Sequence, residues 1–321
     1  MTLIMKLKLL TFLLLCIPVY TFKTTNMLAM KINKSIDIKT QQPKHVNNFY
    51  KPNKFSSYLK ITRPEGLPYE FAMPLFGSYL ATKSLSVIIN PYALLMGIIS
   101  AIVASNSMVI NDYYDYKLGT DTEKKNKVLN NKELTTEEVL YFSTYLAITS
   151  YYLCSLIANN MVRDIISNTI IFTYLYTPVF KSIPLIKNVI VALIITQAPL
   201  TGALIVGGNY HNVFPAIIYL FNFIMWQEIM LDIMDIDGDK KNNINTIPVL
   251  YGYKKANIIG LGFLLLGTLI PYGLSISFIL IQFPLILINT YAIKNNKILK
   301  KMAINISKII MLISGIYMCN I

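Results

Sequence analysis

The stretch Tyr92-Ala-Leu-Leu-Met-Gly-Ile-Ile-Ser-Ala-Ile-Val-Ala-Ser-Asn-Ser-Met-Val-Ile-Asn111-Asp112-Tyr-Tyr-Asp115-Tyr-Lys117-Leu-Gly119-Thr-Asp121 decides how this chain is read. Its first part is a continuous apolar run of about the 20 residues that a bilayer-crossing helix needs. The run does not alternate, which argues against a membrane β-barrel. It then ends abruptly in carboxylates, which hydrocarbon does not tolerate without partners. A membrane helix that emerges into an acidic surface is the simplest structure with that pattern, and on it Asp112 and Asp115 share one face.

Working outward, the composition agrees. Of 321 residues 54% are apolar and only 14% charged, against about 25% charged in an ordinary soluble domain. Mean hydropathy is +0.51. Two histidines (His45, His211) and three scattered cysteines (Cys16, Cys154, Cys319) leave no basis for a disulfide framework, a zinc cluster or histidine-centred catalysis. The expected fold is all-α and integral to a membrane. Nine spans are predicted, near residues 68–88, 92–112, 139–158, 165–182, 188–207, 213–234, 255–274, 276–293 and 304–320. They should surround a central cavity. No internal repeat is visible.

The N-terminus reads as an address. Lys6 and Lys8 precede an apolar run too short to span, so residues 1–22 resemble a signal peptide. Residues 23–56 are basic, polar and acid-poor, the composition of a plastid transit peptide. The folded domain is expected over residues 57–321, in a plastid membrane reached by the two signals together.

The formal charge of +13 does not indicate a nucleic-acid partner, because the basic residues spread over short membrane loops. Lys117, Lys127, Lys181, Lys187, Lys240, Lys241 and Lys254 fall on one side, and only Lys83 and Arg163 on the other, a strong positive-inside bias. The acids are more telling. Twelve of sixteen lie in two windows, Asp112–Glu138 and Glu228–Asp239, at helix ends on that same side. The second window reads Asp232-Ile-Met-Asp235-Ile-Asp237-Gly238-Asp239-Lys240-Lys241, placing Asp232, Asp235 and Asp239 on one helical stripe, with Asp237 facing away. Crowded carboxylates need a cation, and hard oxygen donors without His or Cys suit Mg²⁺ with phosphate oxygens completing its shell.

These residues resemble the motifs of the UbiA superfamily of intramembrane prenyltransferases. Asn111-Asp112-x-x-Asp115, the second Asp-rich segment with its tail Asn245-Thr246-Ile247-Pro248-Val249-Leu250-Tyr251-Gly252, and Arg63-Pro64 carry the likeness, over residues 58–320. The chain departs from the pattern at Gly119, where the family places an Asp and where Asp121 is the substitute two residues on. It departs again at Lys127-Val128-Leu129-Asn130-Asn131 and at Asn243. The resemblance implies Mg²⁺-dependent transfer of a prenyl group from an isoprenyl diphosphate to a lipophilic acceptor, aromatic or quinone-precursor in kind, with no obligate protein partner.

It also implies roles. Asp112, Asp115, Asp121, Asp232, Asp235 and Asp239 would hold metal, with Asn111 a neutral ligand in the substrate site. Lys181, Tyr176 and Lys127 would act catalytically on the diphosphate. Arg63 and Lys240 would bind substrate, and Tyr113, Tyr114 and Tyr116 would offer π faces to a carbocation. The competing readings are a membrane terpene cyclase on the same scaffold and a transporter that uses the acids as an ion path.

Overall fold

A computed structural model describes residues 53–119, 126–292 and 297–321. The expected signal peptide, most of the transit peptide and Asp121 lie outside these residues. Pro52–Ile321 groups as one compact unit, and among the described residues it is helical, without strands.

A short amphipathic helix, α1 (Lys54–Ile61), is followed by α2 (Leu67–Thr82), α3 (Pro91–Leu118), α4 (Thr136–Ser155), α5 (Asn160–Leu175), α6 (Ile186–Ile205) and α7 (Phe214–Met234). A one-and-a-half-turn helix, α8 (Ile236–Lys241), precedes α9 (Ile247–Leu269), α10 (Ile276–Ala292) and α11 (Lys297–Cys319). Among the described residues, five segments are long and apolar enough to cross a membrane: Pro91–Leu118, Ile186–Ile205, Tyr210–Met234, Ile247–Leu269 and Lys300–Cys319.

The expected boundaries shift for identifiable reasons. α2 stops at Thr82, well before residue 88, because Lys83 adopts a left-handed C-cap (φ 54°) and Leu85–Ile89 continues as a 3₁₀ turn. α3 runs six residues beyond residue 112, so both Asp112 and Asp115 stand on regular helix. It ends at Gly119, whose φ of 72° supplies the left-handed terminator that glycine adopts most readily. α9 begins at Ile247 and bends at Gly252 (φ 79°, ψ 158°).

α7 sits at the centre. Leu220, Phe223, Ile224, Met225 and Trp226 are all buried although they point to different sides of it, which is how a helix apolar all round behaves when other helices enclose it. It packs on α6, α9 and α11. Polar side chains tie the bundle together where apolar packing alone gives little selectivity in lipid. Ser143 donates to Asn106 at 2.6 Å and pairs with Tyr174 at 2.9 Å, joining α3, α4 and α5. Trp226 Nε1 donates to Asn289 Oδ1 at 3.0 Å, linking α7 to α10. Tyr219, Gln282 and Ser314 link α7, α10 and α11.

The tightest contact is between α2 and α6. Each carries the same four-residue pattern, Pro74-Leu-Phe-Gly77 and Pro199-Leu-Thr-Gly202. A Cβ on Gly77 would lie 1.9 Å from the Pro199 carbonyl oxygen, and one on Gly202 would lie 1.9 Å from that of Pro74. The two backbones can meet only because both positions are glycine. Ser78 Oγ donates to Gly202 O at 2.8 Å across the same crossing.

Candidate active site

The site begins with two carboxylates held in the same way. Asp115 on α3 accepts the Lys181 ammonium on Oδ1 and the Asn111 amide on Oδ2 at 3.1 Å. Asp232 on α7 accepts Lys187 on Oδ1 at 2.5 Å and the Asn188 amide on Oδ2 at 3.0 Å. Each clasp is one lysine and one asparagine, and each buries its aspartate. Charge-assisted bonds of this kind are the strong ones, and here they offset the cost of withdrawing a carboxylate from water.

Local sequence explains the donors' positions. Pro178 has no N–H to continue α5, and the chain widens into a π turn over Tyr176–Phe180. Lys181 N bonds Tyr176 O at 2.7 Å, so Tyr176 and Lys181 arrive together on the inner side. Thr177 Oγ1 donates to Asn111 Oδ1 at 2.8 Å, fixing the amide that clasps Asp115. Lys187 and Asn188 are consecutive residues in the first turn of α6.

Asp112 accepts Arg63 Nη2 at 3.0 Å and Lys127 on the same oxygen. Arg63 has φ 52°, an unfavourable backbone for arginine, in the link between α1 and α2. α1 is itself tied to the loop after the first motif. Lys60 and Ser57 reach Glu133 at 2.7 and 3.0 Å, and Lys54 reaches Glu138 at 2.5 Å. The Lys60, Asn131 and Ser57 bonds outweigh partial burial and hold the Glu133 carboxyl below its ordinary range.

The two clasps, with Arg63 and Lys127, open on one cavity of about 640 Å³. Its polar end is lined by Arg63, Asn111, Asp115, Lys127, Tyr176, Lys181, Lys187, Glu228, Asp232, Asp235, Asp239 and Lys241. Its remaining wall is more apolar, with Met96, Ile99, Val103, Met108, Ile165, Val191, Ile194 and Ile195, interrupted by Glu70, Gln197 and the hydroxyls of Ser100, Ser107, Thr169, Thr173 and Thr201. Both Asp-rich segments, separated by more than a hundred residues, therefore face the same space.

The structure brings together most of the sequence-predicted residues and sets others aside. Asp112 stands behind the main wall, while Arg63 and Lys127, which hold it, stand on it. Lys240 is not on the wall; its neighbour Lys241 is. The expected continuous stripe through Asp232, Asp235 and Asp239 is interrupted, because α7 ends at Met234 and Asp235 takes non-helical angles (φ −96°, ψ 10°). The bond from Asp239 N to Asp235 O at 2.9 Å keeps the spacing nearly helical, and α8 returns Asp239 to the cavity. Asp237 faces elsewhere, as its spacing implies. Tyr113, Tyr114 and Tyr116 are not on the cavity wall. Gly119 terminates α3 at the position where the resembling motif carries an acid.

Four charged wall residues lie outside the expected set: Glu70, Lys187, Glu228 and Lys241. Glu228 precedes Asp232 by four residues and Asp235 by seven, a spacing that marks it. Lys187 reads in the sequence only as one of the basic residues on the near side, and nothing there separates a buried lysine from an interfacial one. Burial pushes the Asp239 carboxyl above its usual range, and the charge on Lys187 draws it part of the way back.

Among the described residues, no three His, Cys, Asp or Glu side chains converge closely enough to ligate one ion. Lysines occupy the carboxylates instead. The donor set still suits a hard divalent cation, since Asp115, Asp232, Asp235, Asp239, Glu228 and the Asn111 amide share one cavity end and contribute only oxygen ligands.

Comparison with known proteins agrees with this geometry. Digeranylgeranylglyceryl phosphate synthase from Thermococcus kodakarensis is 26% identical over 220 residues, covering 68% of this chain and 77% of that protein. A solved structure of digeranylgeranylglyceryl phosphate synthase in membranes superposes with a TM-score of 0.66 at 24% identity, over 83% of this chain and 97% of that one. A UbiA homologue from Archaeoglobus fulgidus, solved with DMAPP and Mg²⁺, superposes with a TM-score of 0.56 at 20% identity, over 80% of this chain and 86% of that one. At these identities the superpositions speak for the fold. Residues 71–313 match the UbiA prenyltransferase family, which is most of the described chain, so the protein belongs to that family.

Proposed function

We propose that this membrane prenyltransferase moves a prenyl group from an isoprenyl diphosphate to an acceptor bearing glyceryl phosphate, within a bundle of nine membrane-crossing helices. The observation that carries the proposal is the single cavity with a charged end built from both Asp-rich segments and a more apolar remainder. The diphosphate belongs at the charged end and the prenyl chain along the apolar wall. The Thermococcus relative, a digeranylgeranylglyceryl phosphate synthase, favours a glyceryl phosphate acceptor over the aromatic one expected at first.

Asp115, Asp232, Asp235 and Asp239, with Asn111, are the residues that would hold Mg²⁺. Bound there, Mg²⁺ would neutralise charge on the diphosphate and favour its departure. Lys181 and Lys127 stand on the cavity wall with ammonium groups already within reach of the motif, positioned to donate to phosphate oxygens as the C–O bond to the prenyl carbon breaks. Tyr176 faces the same end and supplies an O–H donor. The clasping asparagines keep the aspartates oriented while the lysines exchange partners. The apolar wall excludes water, so the allylic cation meets the acceptor oxygen before it meets solvent. The acceptor's hydroxyl proton passes to an oxygen of the departing diphosphate as the new C–O bond forms, and the diphosphate is released.

Membranes containing the protein, given radiolabelled prenyl diphosphate, Mg²⁺ and either a glyceryl phosphate lipid or an aromatic acid, test this reading. Labelled glyceryl ether is the expected product. A labelled aromatic product would overturn the acceptor, and a cyclic hydrocarbon formed from diphosphate alone would favour a cyclase. The plastid address rests only on residues 1–56 and is proposed on that composition. The relatives named above are archaeal and lend it no support. A fluorescent protein carrying residues 1–56 should enter plastids.

A further inference from the structure

Lys187 is an unusual wall residue. Its side chain is only 9% exposed, and its ammonium lies 2.5 Å from an Asp232 carboxylate that is itself 6% exposed. It lines the same cavity as Glu228, Asp235 and Asp239. It is therefore a buried cation within the second acid cluster. Because Asn188 takes the other oxygen of Asp232, both oxygens of that carboxylate are engaged, and a divalent ion approaching Asp232 meets the Lys187 charge at short range and is repelled unless Lys187 moves. Lys187 cannot retreat into hydrocarbon while charged. It needs another anion within its reach, and a diphosphate at the charged end of the cavity is one.

We propose that Lys187 is a built-in counter-cation which keeps divalent metal off Asp232 until diphosphate arrives, so that metal and diphosphate are taken up as coupled partners. This rests on the reading of the cavity as a metal–diphosphate site. Coupling of this kind is reciprocal: diphosphate should tighten metal binding by the same factor as metal tightens diphosphate binding. Removing Lys187 should raise metal affinity in the absence of diphosphate and weaken the coupling.

The test uses the full chain in detergent, with Mn²⁺ binding followed by electron paramagnetic resonance and inorganic diphosphate as the second ligand. In the parent, diphosphate should tighten Mn²⁺ binding at least tenfold. Lys187→Met should bind Mn²⁺ at least tenfold more tightly than the parent without diphosphate and gain much less when it is added, while Lys187→Arg should behave as the parent does. If Lys187→Met does not fold, the parent decides alone, since Mn²⁺ affinity unchanged by diphosphate overturns the proposal. Equal Mn²⁺ affinity in folded Lys187→Met and parent overturns it too. Prenyl transfer measured on the same parent preparation separates the two failures: transfer with unaltered Mn²⁺ affinities sinks only the role of Lys187, and no transfer sinks the functional reading beneath it.

Discussion

The two Asp-rich segments look alike in sequence and differ in how they are held. The first lies on uninterrupted α3, and both of its described aspartates are engaged by basic residues from three other segments: Arg63 from the link before α2, Lys127 from the loop after α3, and Lys181 from the π turn. The second straddles a helix break. Asp232 is clasped, Asp239 takes a bond from Thr246 at 3.2 Å, and Asp235, at the break itself, faces the cavity. Asp112, held by two basic side chains and off the main wall, is suited to fixing geometry. Asp235, facing the cavity, is suited to receiving a cation directly, while Asp115 and Asp232 must first exchange their lysines.

That contrast can be broken most severely at the shared clasp. Asp115→Ala should lower prenyl transfer at least a thousandfold, because it removes a donor and leaves Lys181 and Asn111 without their anchor; labelled product from membranes measures this. Asp235→Ala should match that loss and also abolish most Mn²⁺ binding, whereas Asp112→Ala should leave Mn²⁺ binding within a few-fold of the parent. If Asp112→Ala and Asp235→Ala weakened Mn²⁺ equally, the division of labour would be wrong. Lys181→Met should reduce kcat/KM about a hundredfold, equivalent to about 2.7 kcal/mol of transition-state stabilisation, with the larger share in kcat.

The smallest effect concerns the support behind the first motif. Glu133→Gln should cost no more than about 1 kcal/mol at neutral pH, since the Lys60 partner is half exposed. The Glu133 carboxyl is held below its ordinary range, so this contribution is present above that range and fades as pH falls through the lowered folded-state value. Thermal unfolding of variant and parent should therefore converge in acid. A gap that widened in acid would contradict the assignment.

Much of this was legible beforehand. Apolar runs and their acidic ends located the helices and the charged end of the cavity, because membrane burial and carboxylate repulsion each leave a plain mark on sequence. Asp115, Asp232 and Asp235 needed only spacing to be placed on the cavity, whereas the same spacing does not show that Asp112 stands behind its wall. What was hidden depends on backbone events that spacing does not encode. The π turn at Pro178 aims Lys181 inward, the break at Asp235 redirects Asp239, and the first turn of α6 carries Lys187 into the interior. Lys240 and Lys241 are adjacent in a basic pair, and only the path of α8 decides which of them meets the cavity.

The crossing of α2 and α6 has a mechanical consequence. Gly202 and Gly77 lock the two helices backbone to backbone, and from Pro199 to Lys187 α6 extends about 18 Å toward the charged end. That arm is a lever with its pivot at the crossing, and a tilt of only about 5° would carry Lys187 some 1.6 Å by simple helix geometry, enough to part it from Asp232. Gly202→Ala, which drives a methyl group into the Pro74 carbonyl, should thus do more than lower the unfolding temperature. It should detune the clasp at the far end of the arm, appearing as altered Mn²⁺ affinity in a protein whose acidic residues are all intact.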